Sequence, residues 1–361
     1  VRATELLHER GQSLWLDNIT RDLLDAGQIQ RYIDEYSVTG LTSNPSIFDK
    51  AIESGYYDEA IRAASARGLQ GEELFFDLAL EDLRRAADLF LPVYERTDGV
   101  DGWVSLEVSP LLARETAPTI AAAKDLHARA GRKNLLIKIP GTPEGLPAIT
   151  ECIASGVPIN VTLLFSAEHY RAAADAYLTG VERRIEHGLD PAVGSVASVF
   201  MSRWDAAIAD RVPDPLRDRL GLAVGLDTYR AYRRLTDSDR VQRIENFGGR
   251  IQRLLWASTR TKDPAASDTL YVHGLAAPFT INTMPDATLD AFYDHGEVGE
   301  PMPADGDGAD ALLAEFIDAG IDLDALAAKL QTDGAAAFVR SWNDLLECIS
   351  AQRAACLNAA T

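Results

Sequence analysis

Short apolar runs alternate with amphipathic helical stretches along most of the chain, and this alternation limits the fold more than any other feature. Runs of about four to eight apolar residues between turn residues read as strands buried on both faces, the pattern of a parallel sheet. The sequence predicts such strands at residues 13–17, 38–42, 102–108, 134–142, 157–162, within 192–200, 254–258 and 269–273. Helical patterns fill the intervals. They are expected over 1–12, from Thr20 or Asp22 through Ile33, twice within 46–96 (the second over about 72–94), and over 114–130 and 146–154. Others run from Ser166 to about 187, two or three times across 203–250, and over 285–294, 309–318, 322–331 and 334–355. Ser46 and Ser166 stand where an N-cap belongs. Eight strands alternating with helices call for an α/β fold, a closed (β/α)8 TIM barrel with additional helices, in preference to an open doubly wound sheet. The first strand–helix turns also lack GxGxxG and the P-loop pattern. The length of 361 residues suits one such barrel domain over 1–361. The segment 296–308, rich in Gly, Pro and acid, reads as a surface excursion and not as a linker.

Composition narrows the class. An apolar fraction of 47% with 25% charged residues is that of an ordinary globular protein, and no run of about eighteen apolar residues offers a membrane span. The first residues show no signal-peptide h-region. Cys348 and Cys356 lie about 12 Å apart along a predicted helix, too far for a disulfide, and with Cys152 they suit a reducing, cytoplasmic setting. A net charge of −20 repels nucleic acid and anionic membranes, so neither is an expected partner. An anionic small substrate would need a local cluster of arginines. His8, His127, His169, His187, His273 and His295 are scattered and mostly helical, which argues against a metal-dependent hydrolase. The sequence fits a monomer or a homodimer.

Within the run Asn134-Leu135-Leu136-Ile137-Lys138-Ile139-Pro140-Gly141-Thr142 sits one of only six lysines, against twenty-nine arginines. Burial disfavours an ammonium, and a buried lysine is expected to have a use. Nucleophilic attack on a carbonyl to form a Schiff base is such a use. In a barrel the reactive groups gather at the C-terminal strand ends. Those ends carry Asp17, Asn44, Glu107, Lys138, Asn160 and Thr162. Residues 160 and 162 share a strand face, as do 105 and 107. Plainer readings stand beside the catalytic one. Asp17 fits a helix cap, Asn44 a turn before proline, Glu107 a salt-bridge partner of Lys138, and Asn160 and Thr162 backbone partners. Lys138 itself could snorkel from a strand end.

These residues resemble the transaldolase family over most of the chain. Thr42-Ser43-Asn44-Pro45-Ser46 resembles its T-[ST]-N-P-[SA] turn, Leu135 to Pro140 its Schiff-base lysine strand, and Asn160 to Ser166 its N-x-T-L-[LIV]-F-S signature. Leu255-Trp256-Ala257-Ser258-Thr259 and Asn282-Thr283-Met284-Pro285, with Asp294-His295-Gly296, are similar to the long-chain bacterial branch. The resemblance implies a cofactor-free, metal-free enzyme of the pentose phosphate pathway acting on sugar phosphates. It would move a dihydroxyacetone unit from sedoheptulose 7-phosphate to glyceraldehyde 3-phosphate. It further implies Lys138 as nucleophile, Asp17 as acid–base at the C4 hydroxyl, and Glu107 acting through a water held with Thr162. Asn44 and Asn160 would hold hydroxyls of the bound fragment. Ser198-Val199-Phe200-Met201-Ser202-Arg203 resembles the S-x-F-x-[GS]-R segment, which would put Ser198 near substrate hydroxyls and Arg203 on phosphate. The remaining phosphate contacts would come from Ser258 and Arg260, with Lys262 as the alternative. The neighbouring activity in the same superfamily is a Schiff-base fructose 6-phosphate aldolase, which releases dihydroxyacetone.

Overall fold

A computed structural model describes residues 2–358. Eight parallel strands follow one another in chain order and close into a barrel: β1 Ser13–Asp17, β2 Val38–Thr42, β3 Val104–Glu107, β4 Leu135–Pro140, β5 Ile159–Leu164, β6 Ser195–Phe200, β7 Arg253–Ala257 and β8 Ile281–Met284. Helices lie between successive strands, and additional helices complete a (β/α)8 TIM barrel. Nearly every strand residue is buried, because barrel interior and helical layer cover opposite faces of the same strand. Gly40 is required inside this core: a Cβ there would lie 2.4 Å from the Trp15 indole, which packs across β2. No helix among the described residues is long and apolar enough to cross a membrane.

The first two strands fall where the sequence puts them. The eighth does not. Residues 269–273 form the short helix Leu270–Gly274, and Ile281–Met284 closes the sheet by pairing with β1 and β7. Thr-Leu-Tyr-Val-His is rich in strand formers, but such propensity reports fit to a pleated, packed surface. Here the Tyr271 hydroxyl is instead held by Asp205 at 2.5 Å, outside the sheet. The real strand is masked by Asn282 and Thr283, polar residues buried in the barrel.

Several helix boundaries also move. The helix expected from residue 20 to 33 is two, Arg21–Asp25 and Gln28–Tyr36, separated at left-handed Gly27. Residues 46–96 hold three, Pro45–Glu53, Asp58–Ala66 and Gly71–Arg96. Ser46 is not an N-cap: Asn44 occupies that position, Pro45 opens the helix, and the Ser46 hydroxyl donates to Asn44 Oδ1 at 2.6 Å. Ser166 does cap its helix, accepting from the His169 N–H at 3.1 Å. The two helices expected at 322–331 and 334–355 are one, Leu323–Asn358. Gly334 does not end it; that glycine allows a close approach to the barrel instead. Segment 296–308 runs over the surface, anchored by buried Met302, whose N–H donates to the Ala276 carbonyl.

Candidate active site

The C-terminal strand ends bring the expected polar residues together. Strand register puts Glu107 beside Lys138 and Lys138 beside Asn160, so three neighbouring strands present acid, amine and amide in one row. Lys138 Nζ lies 3.4 Å from Glu107 Oε2 and donates to the Ser43 carbonyl at 3.2 Å. It does not snorkel: the lysine is only 5% exposed. Asn160 is fixed at both ends of its amide, donating to Ser105 at 3.1 Å and accepting from the Ser198 hydroxyl at 2.7 Å. Across the barrel, Asp17 pairs with Thr42, whose hydroxyl donates to Asp17 Oδ1 at 2.8 Å and lies 2.7 Å from Thr283 Oγ1.

Two carboxyls in this cluster are raised above their ordinary range, each mainly by burial. For Glu107 the Lys138 ammonium opposes the rise, and the Asp17 charge adds a little to it. For Asp17, Lys138 and hydrogen bonds from Thr42 and Asn44 pull the other way. Beyond the ion pair, neither Glu107 oxygen has a hydrogen-bond partner, and the buried Thr162 hydroxyl has none either. Unsatisfied buried polar atoms are costly, and a cluster of them is the setting in which a bound water is favoured.

Above this row is a cavity of about 280 Å³, floored by Lys138, Asp17 and Thr162. Asn44, Ser198, Arg203, Ser258, Arg260 and Lys262 line it, whereas Glu107 and Asn160 sit behind the lining. The Ser258 backbone is left-handed, at φ 53°, and its hydroxyl lies 2.9 Å from Ser202 Oγ. Arg203 sits in the first turn of the helix Ser202–Ile208 and makes no ion pair among the described residues; partial burial lowers its pKa. Its guanidinium lies over the rings of Phe200 at 5.0 Å and Phe338 at 5.9 Å. Lys262 is lowered too, by desolvation and then by the positive charges of Arg260 and Arg203. The positive end of the cavity thus has unneutralised cations in a protein of net charge −20.

Three residues of or beside the cavity are not among the expected site residues. Thr283 was hidden by the misplaced eighth strand. Ser105, which the strand parity puts on the face of Glu107, has a role only the structure shows: it accepts from Asn160 behind the lining. Phe338, with Ala337 and Ser341, comes from the C-terminal helix, and no local pattern marks it. Among the described residues one group could converge on a metal ion, Asp49, Glu53 and Cys348, with ligand atoms within 4.8 Å of one another, and none of the three lines the cavity.

The family model for transaldolase/fructose-6-phosphate aldolase matches residues 14–349. Curated relatives named transaldolase align over nearly the full chain. The one from Saccharopolyspora erythraea is 44% identical over 356 residues, covering 96% of this chain and 97% of the relative. That from Thermobifida fusca is 44% identical over 359 residues, covering 97% and 98%. That from Mycobacterium tuberculosis is 45% identical over 353 residues, covering 94% of each.

Proposed function

The chain belongs to the transaldolase/fructose-6-phosphate aldolase family, and from that premise we propose that it is a transaldolase working through a Schiff base on Lys138. The observation that carries this reading is a buried primary amine at the floor of a cavity whose other end holds Arg203, without an ion-pair partner among the described residues. A ketose phosphate spans such a cavity with its carbonyl at the amine and its phosphate at the guanidinium. Arg260 and Ser258 complete the phosphate seat, and Lys262 adds positive charge at the rim.

The proposed cycle begins with Lys138 transferring its extra proton to the adjacent Glu107, freeing the lone pair for attack on C2 of sedoheptulose 7-phosphate. A water held between Glu107 and Thr162 relays the protons of carbinolamine formation and dehydration. Asp17 then takes the C4 hydroxyl proton as the C3–C4 bond breaks. Erythrose 4-phosphate leaves, and the electron pair stays in an enamine on Lys138. Asn44 and Asn160 hold its hydroxyls. Glyceraldehyde 3-phosphate accepts the new C–C bond, Asp17 returns the proton to the aldehyde oxygen, and hydrolysis releases fructose 6-phosphate. This places the enzyme in the pentose phosphate pathway. Its three free cysteines suit the cytoplasm.

Borohydride reduction in the presence of fructose 6-phosphate, followed by peptide mapping, tests the reading. A three-carbon adduct on Lys138 is expected, and its absence from that peptide overturns the assignment. Free dihydroxyacetone accumulating as fast as transfer would identify the aldolase instead.

A further inference from the structure

The helix Leu323–Asn358 crosses the open end of the barrel and is held there at three places. The Gln331 amide donates to the Gly141 carbonyl at 3.1 Å and to the Leu163 carbonyl at 3.0 Å, at the ends of β4 and β5. Gly334 approaches so closely that a Cβ there would stand 3.0 Å from Leu163 Cδ2 and 3.2 Å from an Arg203 nitrogen. Further along, the Trp342 indole donates at 2.9 Å to Glu72 Oε1, which also accepts from Ser109 at 2.8 Å. Between these anchors the half-buried Phe338 ring faces the cavity. Its centroid lies 5.8 Å from Lys138 Nζ and 5.9 Å from Arg203 Cζ.

A single ring is therefore shared by the two cations that, in the reading above, grip opposite ends of the substrate. Aromatic faces attract cations without neutralising them. A carboxylate in that position would compete with phosphate for Arg203, and a polar side chain would carry water toward the amine. The ring does neither. We propose that Phe338, by its apolar bulk, is a specificity-determining residue that keeps a three-carbon enamine on Lys138 waiting for an acceptor aldehyde instead of being lost to water. The proposal rests on the Schiff-base reading and goes further by naming what sets the fate of the intermediate.

The enamine has two exits. In transfer, its nucleophilic carbon bonds to the carbonyl carbon of the acceptor, the carbonyl oxygen takes a proton, and water hydrolyses the resulting iminium. In loss, the same carbon takes a proton, water adds to the iminium carbon, and the C–N bond breaks to give dihydroxyacetone and the free amine. Both exits use the same residues. They differ in whether a proton donor from solvent reaches the enamine carbon before an aldehyde does. An apolar wall over the interval between amine and guanidinium slows the second exit and leaves the first open to a phosphate-bearing acceptor.

The test compares the parent with Phe338→Ala and Phe338→Leu. The measured quantity is the ratio of dihydroxyacetone released from fructose 6-phosphate without acceptor to dihydroxyacetone transferred when erythrose 4-phosphate is supplied. Phe338→Ala is expected to raise the ratio about tenfold, and Phe338→Leu, which keeps apolar volume, to stay within about twofold of the parent. Gln331→Ala, which loosens the helix from two carbonyls without altering the lining, is expected to raise it about threefold. It also keeps the test open if the alanine variant does not fold. A purely structural role lowers both exits together and leaves the ratio unchanged. An unchanged ratio in Phe338→Ala, with borohydride trapping on Lys138 intact, overturns the proposal. So does a leucine variant that leaks like the alanine one. Loss of trapping in the parent strikes the Schiff-base reading instead.

Discussion

Two carboxylates at either end of β3 are equally buried, Asp101 and Glu107 each being 4% exposed, and each has a cation beside it. Their surroundings differ. Asp101, at the N-terminal end of the barrel, accepts from the Ser13 hydroxyl, from the Trp15 indole at 2.8 Å and from the Gly102 N–H at 3.2 Å, with Arg253 3.5 Å away. Arg253 in turn donates to the Val100 and Thr280 carbonyls and to Ser13. Glu107, at the C-terminal end, has the Lys138 ammonium at 3.4 Å and no hydrogen bond. A saturated buried acid holds structure together, because each of its partners would be orphaned without it. An acid with spare lone pairs beside a primary amine is free to accept and return a proton. The chain thus ties off charge at one mouth of the barrel and leaves it unsatisfied at the other, the division of labour that (β/α)8 enzymes show between their two faces.

The largest effect that could break this comparison comes from Lys138→Arg. Guanidinium keeps the positive charge beside Glu107 but stays protonated and cannot form an imine. Turnover is expected to fall by about 10⁴-fold or more, and borohydride trapping to vanish, while the melting temperature shifts by no more than about 4 °C. Steady-state kinetics with calorimetry checks both halves. Retained sugar exchange would remove the unsaturated end from the chemistry.

Next in size is Asp101→Asn at the saturated end. Asparagine cannot receive the Ser13 and Trp15 donors and also neutralise Arg253, so a largely buried cation is left without its acid. Breaking such a pair is expected to lower stability by about 3–5 kcal/mol. Denaturant unfolding measures the loss, and turnover per folded molecule should stay near the parent value. A fall in kcat at full folding would mean that the two mouths are coupled.

This asymmetry was only partly legible in the sequence. The polar strand ends Asp17, Glu107, Lys138, Asn160 and Thr162 could be read because each lies on an apolar run whose period of two fixes its face. Asp101 could not: it precedes its strand in a Gly-rich turn, and its partners at 13, 15 and 253 meet it only once the barrel closes. Phe338 was hidden for the same reason, being 200 positions from Lys138 on a helix whose periodicity identifies a buried face but not what it covers. The split expected at Gly334 shows the limit from the other side. A helix-weakening residue is tolerated there because close packing against Leu163 and Arg203 needs the missing Cβ, a tertiary demand that overrides local propensity. Thr269 to His273 fails likewise, as strand formers recruited into a short helix.

The smallest predicted effect concerns the acids themselves and links stability to pH. Burial raises the Glu107 carboxyl above its ordinary value of 4.5 despite the opposing Lys138 charge. Between 4.5 and that raised value the folded chain holds a proton that the unfolded chain has lost, so stability falls as pH rises through the window and the penalty is fully present above it. Glu107→Gln removes the penalty, and a buried lysine, unlike the arginine beside Asp101, can give up its proton once its acid is gone, so the melting temperature at neutral pH is expected to exceed the parent's by about 2 °C. That advantage should disappear when both are compared below pH 4.5. The same substitution is expected to lower turnover by about 10²-fold. In the parent, the acid limb of the pH–rate profile should lie above the usual carboxylate range, because both Asp17 and Glu107 must lose protons that burial helps them keep. Unfolding scans of both proteins across pH, set beside their rate profiles, decide the matter. A glutamine variant less stable than the parent at neutral pH would make Glu107 a structural partner of Lys138, and the contrast with Asp101 would collapse.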